Sequence, residues 1–311
     1  MKKSLKLIIT LALVAVFSIG GISSLSAADT WKGGVSLPLL NAFYLPFMRA
    51  LKNAIEDAGG KAIWAEAEGY QVPKELSNVE NLLTQEIDVL FIDASDQVAS
   101  APAIRAANDA GVPVVCLNAK VEGVDMLTYI SADNYGAGVL AADYLAKKLN
   151  GKGNILVING PPVTAVMDRI NGLKDTLKKY PGMKVVGEQM MKNSMADGLY
   201  VAENLLAAHP EANGFFTMND YGFLGAYTAL EAIGKEKQII ITSVDGLADV
   251  VSLLAAGDAG ASMTVAQFPI HMANAGIKAY LDSKAGKTVP PDIKVKVEIV
   301  DQKRAAAGFH W

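Results

Sequence analysis

The feature that most restricts the fold is a short apolar run that ends in an acid or an amide and recurs along the chain. Its clearest instance is Ile239-Ile240-Ile241-Thr242-Ser243-Val244-Asp245-Gly246. Such a run has no polar face to turn to water, so it suits a strand buried on both sides, as in a parallel sheet. Asp245 and Gly246 end it, and a helical pattern starts at once. The same order returns at 89–93, 114–118 and 215–220, ending in Asp93, Asn118 and Asn219-Asp220. Open parallel sheets bind ligands beyond the carboxyl ends of their strands, which makes these residues candidate ligand groups. Taken singly, each is equally well a helix N-cap, where Asp and Asn are favoured. Their recurrence at successive strand ends points to one shared site.

Between these runs the period of the apolar pattern switches from 2 to 3.6 and back. The spacing predicts strands over 33–39, 62–66, 89–93, 113–118 and 126–131, with helices over 45–58, 73–86 and 98–110 between them. After a helix over 134–149, stopped by Asn150-Gly151, the pattern restarts. Strands are predicted over 154–159, 184–188, 214–217, 239–244 and 261–266, again alternating with helices. A helix over 270–283 then leads through Pro290-Pro291 to an extended 294–300. Tandem strand–helix units at this spacing imply parallel sheets covered by helices on both faces. The expected fold is therefore α/β, with two doubly wound, Rossmann-like lobes and a ligand cleft between them. A length of 311 residues suits two such domains, and 304–311 reads as a frayed alanine-rich tail.

Residues 1–28 stand apart from this pattern. Lys2, Lys3 and Lys6 precede an apolar run, and Ser26-Ala27-Ala28 offers small residues for cleavage, which reads as a signal peptide directing export to the periplasm. Its loss removes three lysines and takes the formal charge from −4 to −7. An acidic chain is unsuited to nucleic acid, which asks for a basic surface. A single cysteine, Cys116, permits no intrachain disulfide; within an apolar strand it reads as a core residue.

Motifs for catalysis or cofactors are absent or misplaced. Gly136-Ala137-Gly138-Val139-Leu140-Ala141 matches a dinucleotide fingerprint in letters, but its glycines fall inside a helix, where close helix packing accounts for small residues. Three scattered histidines make neither a metal site nor a triad. No G-x-S-x-G elbow or P-loop occurs. No cofactor or metal is implied, and the chain does not read as an enzyme. The one carboxylate pair open to glycosidase chemistry is Asp93 with Asp245. In contrast, Asn41-Ala42-Phe43-Tyr44 sets an amide beside two aromatics just after the first strand. That combination suits a sugar, whose CH-rich faces pack on rings while its hydroxyls need hydrogen-bond partners; as core residues, Phe43 and Tyr44 are equally well explained. Arg169 follows Gly160-Pro161-Pro162, placed for its fork of donors to reach the cleft and pair with Asp245.

These segments, with Gly111-Val112-Pro113-Val114, Ile130–Asn134, Asp168–Gly172, Asn204–Pro210, Val244-Asp245-Gly246 and Ala266-Gln267-Phe268-Pro269, resemble the ribose-binding-protein family. Its members are periplasmic sugar receptors of bacterial ABC importers. The resemblance runs from about Val35 to Val300. It implies two lobes joined by three crossovers, near 131–134, 264–267 and 290–294. The N-terminal lobe would comprise 29–131 with 268–290, and the C-terminal lobe 132–267 with 291–303. It further implies that Asn41, Arg169, Asn219, Asp245 and Gln267 bind hydroxyls while Phe43 and Tyr44 stack. Two positions depart from the family pattern. Asn118-Ala119 stands where ribose binders carry an Asp-Arg pair, and Asn193 stands where an aromatic often stacks. Asp93 is positioned to replace the missing acid, and Asn193 to replace stacking with an amide bond. The implied ligand is another sugar or a less ring-like polyol, and the implied partner is an importer permease, with the chain a monomer. The alternative is a receptor for a sugar-derived autoinducer or a chemotaxis signal, with a chemoreceptor as partner. Mass spectrometry of the exported protein should find a mature N-terminus at Asp29; retention of residues 1–28 would contradict the leader reading.

Overall fold

The computed structural model describes residues 30–310; the leader reading of 1–28 lies outside the described residues. In chain order the first part comprises β1 (Lys32–Leu37), α1 (Tyr44–Asp57), β2 (Lys61–Glu66), α2 (Val72–Leu83), β3 (Val89–Ile92), α3 (Ala101–Asp109), β4 (Val114–Leu117) and β5 (Thr128–Ala132). There follow α4 (Asn134–Lys148), β6 (Lys152–Asn159), α5 (Thr164–Leu177), β7 (Gly182–Met190), α6 (Met195–Ala208) and β8 (Gly214–Thr217). The remainder is α7 (Asp220–Ala232), β9 (Ile240–Asp245), α8 (Ala248–Ala256), β10 (Met263–Ala266), α9 (Pro269–Lys284), β11 (Asp292–Val295), β12 (Glu298–Asp301) and α10 (Gln302–Ala306).

These elements form two six-stranded sheets, ordered β2-β1-β3-β4-β5-β11 and β7-β6-β8-β9-β10-β12. All pairings are parallel except that of β12, which runs antiparallel to β10 at the edge of the second sheet. The expected α/β fold of two doubly wound lobes is what the chain adopts. Burial explains the strands: all four residues of β3 and all four of β8 are shielded, one face by helices above and the other by helices below. In α1, Tyr44, Phe47, Leu51 and Ile55 repeat at helical spacing and bury one stripe against the first sheet. Cys116 is a fully buried free thiol in β4.

The chain passes between the sheets three times: from β5 into α4, from β10 into α9, and from β11 into β12. Helix α9 packs on α1, β4 and β5, so the first lobe takes it back after the second lobe has supplied five strands. The third passage corrects the expectation from sequence, which put it near 290–294 and assigned all of 291–303 to the C-terminal lobe. In the structure Asp292–Val295 pairs with Tyr129–Ala132 of the first sheet, and the passage falls at 296–297. Two adjacent apolar-alternating segments look like one long strand in sequence; only their different partners separate them.

The tail also departs from expectation. Arg304 lies in α10, Phe309 is buried, and its ring meets Phe268 edge-on at 6.4 Å beside the second passage. Arg304 sits over the Phe309 ring at 5.1 Å and pairs with Glu298 of β12. A frayed end would make none of these contacts. Phe309→Ala should lower stability by about 3 kcal/mol in a denaturant melt; an unchanged midpoint would return the tail to a passive role.

Candidate ligand site

The carboxyl ends of both sheets open on one cavity, and the turns there take positive-φ backbone conformations. Asn118 after β4 has φ 58°, Asn193 after β7 has φ 67°, and Asp245 at the end of β9 has φ 146°. Non-glycine residues rarely adopt positive φ, and such outliers gather at functional sites. Asp220 secures the last of these turns. Its carboxylate accepts from the backbone of Gly246 (3.0 Å) and Leu247 (2.7 Å), from the Thr264 hydroxyl (2.7 Å) and from Ser243.

On the first-lobe side, the Asn41 Oδ1 accepts from the backbone of Phe43 (3.0 Å) and Tyr44 (3.1 Å), which leaves its amide nitrogen toward the cavity. The rings of Phe43 and Tyr44 meet edge to face, 5.1 Å apart. The Tyr44 hydroxyl donates to Asp93 Oδ2 (2.9 Å), as does Asn118 Nδ2 (2.9 Å), while Ala119 N donates to Asp93 Oδ1 (3.2 Å).

On the second-lobe side, Arg169 is aimed by helix packing. A Cβ on Gly138 of α4 would lie 2.0 Å from the Arg169 carbonyl oxygen, and one on Gly172 of α5 would lie 2.2 Å from that of Tyr135. Gly138, the second glycine of the apparent dinucleotide motif, and Gly172 opposite it thus let two helix backbones touch, while Gly136 faces its own Asp133 cap. At that distance Arg169 Nε donates to Asn134 Oδ1 (2.8 Å) and Nη1 to the Met218 carbonyl (2.7 Å), with Asp245 Oδ1 3.7 Å away. Gln267 Nε2 donates to Asp245 Oδ1 (2.7 Å), and Asn219 Nδ2 to Asn193 Oδ1 (2.5 Å).

Nine of the ten residues nominated from sequence line this cavity: Asn41, Phe43, Tyr44, Asn118, Arg169, Asn193, Asn219, Asp245 and Gln267. Asp93 is the exception. It stands behind the wall, with both oxygens engaged by protein donors, so it positions Tyr44 and Asn118 instead of facing the cavity. The sequence reading missed Tyr70, Val166 and Met218 on the wall and Asn134 behind it, while Asp220, a strand-end candidate, also stands behind the wall. Asp220 had a signal, since it follows Asn219 at a strand end; Tyr70, in a loop, had none. The cavity is ≈ 30 Å³.

The lobes are closed on one another. Ala42 N donates to the Tyr221 hydroxyl (3.0 Å), Lys120 N to Thr164 Oγ1 (3.1 Å) and Asn193 Nδ2 to the Tyr70 hydroxyl (3.3 Å), each crossing from one lobe to the other. Two acceptors on residues that line the cavity, Asn118 Oδ1 and Gln267 Oε1, are buried without a donor. Their amides cannot simply be flipped, because each nitrogen already donates to a carboxylate. Among the described residues, no group of three His, Cys, Asp or Glu is placed to hold a metal ion.

A family model for the periplasmic binding protein domain matches residues 34–288. The ribose import binding protein of Bacillus subtilis (strain 168) is 31% identical over 272 residues, which covers 87% of each chain. A solved periplasmic binding protein component of the arabinose ABC transporter from Shewanella sp. ANA-3, bound to α- and β-L-arabinofuranose, is 26% identical. It aligns with a TM-score of 0.83 over 89% of this chain and 93% of that one. An ABC transporter solute binding protein from Bacillus halodurans C-125 with bound myo-inositol shares the fold, with a TM-score of 0.83 at 24% identity over 90% and 98% of the two chains.

Burial pushes the Asp93 carboxyl up to about 7, against the lowering pull of the Asn118 amide and the Tyr44 hydroxyl. Asp220 is raised by burial and then by the charge of Asp245; Asp245 is raised by burial and drawn back by Arg169. A carboxyl with a higher pKa folded than unfolded keeps its proton in the native state after the unfolded chain has lost it. Its contribution to stability is complete below about pH 4 and is lost as pH climbs through about 7. Relative to wild type, Asp93→Asn should therefore melt at progressively higher temperature between about pH 5 and 8. A difference that is flat or shrinks over that interval would refute the assignment.

Proposed function

The chain belongs to the periplasmic binding protein domain family, in its ribose-binding-like branch, and from that premise we propose that it captures a sugar or polyol between its lobes and delivers it to the membrane permease of an ABC importer. The observation that carries the ligand class is the pair of donor-less acceptors, Asn118 Oδ1 from the first lobe and Gln267 Oε1 beside the second passage. A buried acceptor without a donor costs about 1–3 kcal/mol. A ligand with several hydroxyls supplies both donors at once. It also offers oxygens to the Asn41 amide and the Arg169 guanidinium, while its CH groups meet Phe43 and Tyr44. A ligand that only accepts hydrogen bonds would leave both amide oxygens stranded.

The mechanism is closure without chemistry. An open form admits the ligand, and the closed form buries it among groups that complete its hydrogen bonds. Among the described residues Asp245 is the one carboxylate on the cavity wall, whereas hydrolysis of a glycoside by the usual route takes two flanking the bond. Its relatives are periplasmic proteins of ABC transporters, which supports the periplasm as the site of action and the leader reading of 1–28.

A thermal-shift screen over pentoses, hexoses and polyols should find ligands that raise the melting temperature, with affinities then measured by calorimetry. Arg169→Ala and Asp245→Ala should each weaken binding by roughly a hundredfold or more, since each strands a buried partner. Circular dichroism should show both variants folded. Wild-type affinity in either folded variant would overturn the site.

A further inference from the structure

Asn118 and Gln267 are set by one device, used once in each lobe. Asp93 and Asn118 stand just past the paired strands β3 and β4, and Asp245 and Gln267 stand at the ends of the paired strands β9 and β10. In both pairs the acid takes the amide nitrogen. Asn118 Nδ2 donates to Asp93 Oδ2 at 2.9 Å, and Gln267 Nε2 to Asp245 Oδ1 at 2.7 Å. An ionised carboxylate only accepts, so it fixes which end of the amide is drawn back. The other end, the amide oxygen, is left without a protein donor in both. Asp245 also faces Arg169 and lines the cavity itself. Asp93 does not line it, so whatever it does for a ligand passes through Asn118 and Tyr44.

Three donors hold Asp93, and one of them cannot turn. Ala119 N donates to Oδ1 at 3.2 Å, while Oδ2 is shared by Asn118 Nδ2 and the Tyr44 hydroxyl, both at 2.9 Å. Exchange of the acid for its amide therefore has one arrangement that leaves none of these groups stranded. The new oxygen stays with Ala119 N, and the new nitrogen takes the place of Oδ2, donating to Tyr44 and to Asn118. Asn118 must then turn over, because two amide nitrogens in contact have no acceptor between them. The charge of the acid is thus what leaves an oxygen for the ligand at Asn118; its amide would leave a nitrogen. The titratable groups facing Asp93 are Tyr44 of α1, Tyr70 of the loop before α2 (φ 66°), Glu75 of α2, Cys116 of β4 and Tyr129 of β5, none of them a cation. Lys120, next to Ala119, holds its ammonium over the Tyr129 ring at 5.5 Å. Burial, with Glu75 adding to it, brings Asp93 up to about 7 against the pull of its three donors.

We propose that Asp93 is a positioning residue for specificity: through Asn118 it makes the first lobe require a ligand group that donates a hydrogen bond, and so selects a hydroxyl over a fluorine or an ether at one position of the sugar or polyol. This rests on the reading of the cavity as a sugar or polyol site. The test is calorimetry of the full mature chain, wild type and Asp93→Asn, with D-ribose, L-arabinose, D-galactose, xylitol and myo-inositol and with the monodeoxyfluoro analogues of those that bind. Fluorine takes the place of a hydroxyl but cannot donate. At one position it should weaken binding to wild type about tenfold or more, through the stranded Asn118 oxygen. Asp93→Asn should cut that penalty to about threefold or less, while the penalties at other positions stand. In wild type the penalty at that position should also shrink as pH falls from about 8 to 5, because a neutral Asp93 carries a proton of its own and no longer fixes the amide. Asp93→Asn should show no such trend. A folded Asp93→Asn with the wild-type pattern of penalties would overturn the proposal and leave a sugar receptor standing. So would a wild-type penalty that does not change with pH, a result that needs no variant. Should none of the five parent compounds bind, the receptor reading falls and this inference with it.

Discussion

Two buried charges 3.7 Å apart, Arg169 and Asp245, set the terms for the rest of the molecule. Each is only 4% exposed, and taking such ions from water costs several kcal/mol apiece. A well-packed apolar pair would usually serve stability as well or better, so the pair is better understood as part of a site than as a brace. Its upkeep organises the surroundings. Gly138 and Gly172 let α4 and α5 touch so that Asn134 and the Met218 carbonyl reach the guanidinium. Asp220 holds the turn at Gly246 so that Asp245 projects from a backbone at φ 146°. Gln267 joins the pair to the strand through which the chain leaves the second lobe.

The same constraint bears on the proposed closure around a small molecule. Three hydrogen bonds of the kind named above cross between lobes, through Tyr221, Thr164 and Tyr70. Each contributes about 0.5–1.5 kcal/mol net, a few kcal/mol together. The unpartnered oxygens of Asn118 and Gln267 work against them. On the proposed reading, opposing contributions of similar size would leave an equilibrium that a ligand tips by completing those oxygens, since only its preference for one state shifts the balance. Three short segments carry the chain between the lobes, and the tail packs on the second of them through Phe309 on Phe268 and on β12 through Arg304 on Glu298.

Much of this architecture is legible in the amino-acid order because it rests on local rules. Two-sided burial makes strands such as β3 and β8 nearly featureless apolar runs, and their polar ends mark where a ligand would sit. Nine nominated residues share one cavity for that reason: strand ends of a parallel sheet converge by geometry. Asp93 sits one layer back because its neighbours Tyr44 and Asn118 reach it first, a matter of side-chain reach that strand position does not encode. Tyr70 escaped because loops carry no period, and its left-handed backbone has no signature without a glycine.

The sequence by itself determined the winding of each lobe, the helix faces, and which residue types stand at the strand ends, since those follow from burial period and capping chemistry among near neighbours. Tertiary structure alone decided the partners: β11 with β5 and β12 with β10, the tail folded onto the hinge, Asp220 beneath Asp245, and Tyr70 across the cleft against Asn193. These contacts join residues far apart in the chain. Their energies depend on which surfaces meet once both lobes exist, and nothing local distinguishes a loop tyrosine that points to solvent from one that closes a cavity.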